Sequence, residues 1–167
     1  MRQGRQAEAA DCYGQAIAAA KAAGKEPDAR FLYNKGVLSL QLGQEDEAAR
    51  MLEGAISADP QHVKAMGNLA AVWTSKGRHA DAAALLEQAL SVLNGGMDEG
   101  TSAAAQGKLP ADLAVALGNA HVQGASNGVA GTSKDRAVEA YRQALRSHPS
   151  HAGAQAQLAA LLGQEEL

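Results

Sequence analysis

Apolar and polar residues follow one another along this chain in helical fashion, in short segments separated by glycine or proline. Between residues 33 and 60 it reads YNKGVLSLQLGQEDEAARMLEGAISADP, two such segments on either side of a glycine, closed by a proline. Residues 63 to 93 read VKAMGNLAAVWTSKGRHADAAALLEQALSVL and restate the pattern. Laying Gly43 on Gly77 also lays Ala48 on Ala82, Ala55 on Ala89 and Ile56 on Leu90, each pair 34 residues apart. A period of that length, built from two short helices around a small-residue turn, predicts a stacked helical solenoid. Neither helix pair can bury its apolar face without a neighbour.

The expected architecture is all-α, a right-handed superhelical solenoid of antiparallel helix pairs. Eight helices are predicted, over roughly 5–23, 28–41, 44–57, 61–75, 78–93, 110–123, 133–147 and 151–163. Pro27, Pro60, Pro110 and Pro149 each stand just before the predicted first helix of a pair, where a proline costs no helical hydrogen bond. Asp59 is expected to cap the helix opened by Pro60, and Thr132 with Asp135 fits a capping box. The chain then divides into a partial repeat (1–27), two repeats (28–60 and 61–93), an insertion (94–109), an extended repeat (110–149) and a terminal capping helix (150–167). The insertion, NGGMDEGTSAAAQGKL, is rich in glycine and polar residues and is expected to be a mobile surface excursion. GASNGVAG, residues 124–131, is expected to lengthen the turn inside the last repeat. The helix of the partial repeat has no preceding partner, so its exposed face is expected to be covered by further residues or by another subunit.

Composition narrows the function. Fifteen basic and eighteen acidic residues leave a net charge of −3, with no signal for nucleic acid. Alanine is abundant and aromatics are few, so helices approach closely but each buries little apolar area. The single cysteine, Cys12, excludes an internal disulfide and a multi-cysteine metal site; among alanines it reads as a small buried residue. No apolar run is long enough to span a membrane. The opening MRQGRQAEAAD lacks the apolar stretch of a secretory signal, so the expected location is cytoplasmic.

No catalytic motif emerges, and the chain does not read as an enzyme. Gly95, Gly96 and Gly100 lack the order and flanks of a phosphate-binding loop. The histidines, His62, His79, His121, His148 and His151, are scattered and read as exposed turn residues, so neither a metal nor a cofactor is expected. Glu45, Asp46 and Glu47 fall in a first helical turn, where carboxylates favour the positive helix end.

The repeat resembles the tetratricopeptide repeat family. That pattern has a leucine and a small residue in the first helix, a turn glycine, two alanines in the second helix and a closing proline. Residues 28–60 supply Leu32, Gly36, Gly43, Ala48, Ala55 and Pro60, with Leu52 in the usual aromatic place. Residues 61–93 supply Leu69, Ala70, Gly77, Ala82, Leu86 and Ala89. The partial first repeat has Gly4, Ala9, Tyr13 and Ala16; the extended one has Leu117, Gly118, Ala137, Tyr141, Ala144 and Pro149.

The resemblance implies a concave groove lined by the first helix of each pair and a protein or peptide as partner. Arg30, Tyr33, Asn34, Val37, Lys64, Asn68, Ala71 and Asn119 are the candidate groove residues. Asparagine amides there can pair with an extended main chain, and Lys64 with an acidic group. Some co-chaperones of the family hold the C-terminal carboxylate of a heat-shock chaperone with lysines, asparagines and an arginine. Asn34 and Lys64 match two of those positions. Asn68 stands where the arginine would be, and an amide lacks the charge and fork of a guanidinium. The first lysine and asparagine would fall ahead of residue 1. Three readings follow: an interaction scaffold or adaptor, a chaperone-tail receptor, and a regulatory repeat domain of a larger enzyme.

Overall fold

The computed structural model describes residues 2–95 and 108–163, with backbone alone for 2–5. It contains α1 (Arg2–Ala22), α2 (Ala29–Gln41), α3 (Glu45–Ala58), α4 (Val63–Ser75), α5 (His79–Gly95), α6 (Lys108–Ser126), α7 (Lys134–Ser147) and α8 (Ala152–Leu162). The fold is an all-α solenoid of helix pairs. Most of the expected 94–109 excursion lies outside the described residues. The chain divides into two compact units, one ending at Val72 and the other starting at Trp73, a boundary inside α4. In the first unit α2 packs on both α1 and α3; in the second α6 packs on α5 and α7, and α7 on α8.

The turn inside a pair is set by the helix that precedes it. After α2 the Gln44 amide donates to the Ser39 carbonyl at 2.8 Å and the Gly43 amide to that of Leu40 at 3.0 Å. After α4, Arg78 donates to Trp73 at 2.8 Å and Gly77 to Thr74 at 3.0 Å. This is the paired closure that satisfies the last carbonyls of a helix, and it requires a left-handed residue. Gly43 (φ 74°) and Gly77 (φ 76°) supply it, which is why they recur at the repeat period.

The starts of the helices use other chemistry. Asp59 accepts from the Gln61 amide at 3.0 Å, but α4 starts only at Val63. There His62 Nδ1 accepts from the Ala65 amide at 3.2 Å and acts as the cap. The same arrangement opens α8, where His151 Nδ1 accepts from Ala154 at 3.1 Å. The α7 cap is Ser133, whose hydroxyl accepts from the Arg136 amide at 3.1 Å, one residue later than expected. Thr132 instead bonds back to the Val129 carbonyl. The extended turn is also shorter than expected, because α6 continues to Ser126 and buries Gly124.

Small residues carry the core. Ala48, Ala55, Ala82, Ala89, Ala137 and Ala144 are fully buried beside Leu52, Leu86 and Tyr141. A larger side chain at such a position strains close-packed neighbours and commonly costs about 1–3 kcal/mol. Ala82→Leu is therefore expected to lower the urea unfolding midpoint; an unchanged midpoint would place this alanine in contact with water instead. Cys12 corrects the sequence reading, since it is exposed. All five histidines break the exposed-turn expectation: His79 and His121 are buried, and His62, His148 and His151 are half-buried.

Candidate functional site

The candidate residues of the first unit rise from two helices. Asp28 caps α2 by accepting from the Arg30 amide at 2.8 Å, and the Arg30 guanidinium folds back on the same carboxylate, also at 2.8 Å. These bonds from Arg30 hold the Asp28 carboxyl down at about 2. Arg30 is thus exposed but already engaged on its own cap.

One turn on, Tyr33, Asn34 and Val37 line a hollow of about 280 Å³ with Ala9 and Tyr13 of α1 and Leu38. The Asn34 amide donates to the Tyr13 hydroxyl at 3.3 Å, a bond near the long limit for this pairing. The Tyr33 ring lies 4.7 Å from the His62 ring, so α2 is tied to the cap of α4. Phe31 stands 6.0 Å from Tyr13 and is 40% exposed. Three of the chain's five Phe, Tyr and Trp residues therefore meet in this part of an otherwise alanine-rich protein. Aromatic residues are the side chains most often found at the energetic centre of protein interfaces.

On α4, Lys64, Asn68 and Ala71 stand at spacings of four and three and share one helical face. Lys64 and Ala71 are exposed and Asn68 is half-buried. The structure thus brings Tyr33, Asn34 and Val37 together around one hollow, aligns the three α4 residues, and leaves Arg30 closed on Asp28. Asn119 belongs to the second unit, on α6, where its Oδ1 accepts from the buried Tyr141 hydroxyl at 2.7 Å. It fixes a core tyrosine.

Sequence reasoning missed the histidine caps, and it named Tyr13 as a repeat position without placing Tyr13 or Phe31 beside the groove residues. Proline two residues ahead of a histidine, in Pro60–His62 and Pro149–His151, was the available signal for the caps. His151 also shows its tautomer by its partners. Nδ1 accepts from an amide, so the ring proton sits on Nε2, 3.0 Å from Asp112 Oδ1.

Among the described residues no group of three or more His, Cys, Asp and Glu could hold a metal ion. None of their helices is long and apolar enough to cross a membrane.

Two family models described as tetratricopeptide repeat match the chain, one over residues 1–49 and one over 39–95. The probable biofilm formation methyltransferase WspC of Pseudomonas aeruginosa is 38% identical over 72 residues, 43% of this chain. That match spans only 17% of the relative's length. The crystal structure of MamA superposes with a TM-score of 0.75 at 18% identity, covering 99% of this chain and 82% of that one. The first repeat domain of Spaghetti (RPAP3), solved with the HSP90 peptide SRMEEVD, gives 0.65 at 18% identity, covering 84% and 94%. The N-terminal domain of stress-induced protein-1 from C. elegans gives 0.63 at 20% identity, covering 80% and 93%. The structural likenesses are likenesses of fold. Together with the two repeat models, whose matches run from residue 1 to residue 95, they show that the chain belongs to the tetratricopeptide repeat superfamily.

Proposed function

We propose that this chain is a peptide-binding repeat module. In this reading the faces of α2 and α4 in the first unit hold an extended acidic segment ending in a free carboxylate. The observation that carries it is the hollow beside Asn34, lined by two tyrosines and Val37, in the same unit as the exposed Lys64. An apolar side chain fills such a hollow while the Asn34 and Asn68 amides pair with main chain. Lys64 supplies a mobile ammonium for a carboxylate, and hydrogen bonds to a charged group contribute about 1.5–3 kcal/mol.

The tail of a heat-shock chaperone has this chemistry. The RPAP3 domain, similar in fold, was solved with such a peptide, which supports the same class of ligand here. Arg30 does not replace the arginine missing at Asn68, because Asp28 already occupies it. The expected affinity is therefore on the micromolar scale, about −8 kcal/mol.

Isothermal titration of SRMEEVD, once with a free C-terminus and once amidated, tests the proposal. Amidation is expected to weaken binding about tenfold or more. Equal binding of both forms would dismiss the carboxylate contact and leave a general peptide groove. Failure of both would dismiss this ligand class.

The similarity to a methyltransferase favours a second reading, in which the repeats recruit a protein to an attached enzyme. Immunodetection of the native protein decides it. A species much larger than this chain supports it, and one of the same size dismisses it.

A further inference from the structure

His79 and His121, the buried histidines among the described residues, both lie in the second unit. His79 opens α5 and meets the Asn127 amide, just past α6, at 3.1 Å. His121 sits on α6 with 2% of its surface exposed. Nδ1 of each ring is buried without a hydrogen-bond partner among the described residues. A neutral imidazole tolerates one unmade bond; an imidazolium carries two N–H donors and a charge, and both must be answered.

We propose that His121 is an acid-sensitive latch of the second unit: its protonation loosens the packing of α6 against α5 and α7, while the first unit holds. The geometry supplies the means. From α5, Glu87 Oε1 stands 3.7 Å from Nε2, beyond hydrogen-bond length, and Glu87 is about half exposed to water, so its answer to the new charge is weak. From α7, Arg136 adds a like charge. Among the described residues Nδ1 has no acceptor, so an imidazolium is accommodated only if α6 shifts and admits water.

Burial pushes the His121 titration below the ordinary imidazole range, Glu87 pulls it partly back, and Arg136 pushes it down further. The unfolded chain therefore takes up this proton before the folded one does. Stability contributed by the neutral ring is complete above the ordinary imidazole value of about 6.5. It is lost as pH falls from there toward the lower value of the folded state.

The test uses two surface substitutions that leave the core intact. Urea midpoints of the 167-residue chain are measured at about pH 7.5 and about pH 5.5, on either side of the imidazole range. Glu87→Gln removes the helpful charge and is expected to enlarge the fall in midpoint on acidification. Arg136→Gln removes the opposing charge and is expected to reduce it. Hydrogen-exchange protection factors at the two pH values locate the event, with α6 losing protection and α2 and α3 keeping theirs. Equal falls in all three proteins, the reverse order, or protection lost equally in α2 and α6 would each overturn the proposal.

Discussion

Gly118→Ala is expected to lower the unfolding midpoint sharply, although alanine is the better helix former. A Cβ built at this position would lie 2.7 Å from Cζ and 2.8 Å from Cδ1 of Tyr141, and closer still to Cε1. Tyr141 is fully buried, and its hydroxyl is held by Asn119 at 2.7 Å, so the ring cannot swing aside without breaking that bond. Overpacking costs about 1–3 kcal/mol and a lost buried hydrogen bond about 1 more. The helical advantage of alanine over glycine, about 0.5–1 kcal/mol, does not offset the two. Gly54→Ala is the internal control. Its Cβ would meet Leu32 at 3.6 Å, an ordinary contact, so the helical gain stands and the midpoint should rise or stay level. Chemical denaturation of both variants checks the pair, and a fall of equal size in each would mean that helix packing at Gly118 is not the cause.

The pair Gly118 and Tyr141 shows why so much of this fold was readable from residue order. Where two helices come together closely, a small residue on one answers a large residue on the other. Gly36 answers Leu52 in the same way, with a Cβ–Cγ approach of 2.9 Å. The left-handed glycines Gly43 and Gly77 recur at the repeat period, and that period together with the proline positions located every helix to within a few residues. The misses have a common origin in rotation about the helix axis. Ala10 and Ile17 face inward on α1, and Cys12 lies roughly 200° around from Ala10 at about 100° per residue, which turns it to water. His121 shares a face with Ala114, Leu117 and Gly118 at helical spacing, and all four are buried. Its burial was legible in that spacing, but residue type drew it to the surface. The histidine caps were less visible still, because capping by Nδ1 depends on the backbone arriving extended at His62 and His151, and neither residue is a usual cap.

The candidate groove residues were legible as one set in the sequence, but the structure gives them different surroundings, and two substitutions separate them. Lys64→Glu is expected to weaken binding of an acidic peptide about tenfold or more, since one ammonium contact to a carboxylate contributes about 1.5–3 kcal/mol and the new charge repels the ligand. The unfolding midpoint should stay where it is, because Lys64 is exposed and lies outside the core. Asn119→Ala should do the opposite. It removes the acceptor of the Tyr141 hydroxyl and leaves a buried polar group unpaired, at a cost of about 1–3 kcal/mol. The midpoint should fall while peptide affinity, measured below the transition, stays close to that of the parent chain. Titration and denaturation of both variants give four values. Undiminished binding by Lys64→Glu would move the ligand away from α4. Lost binding by a folded Asn119→Ala would return that residue to the site, and would mean that its bond to Tyr141 is the lesser of its two roles.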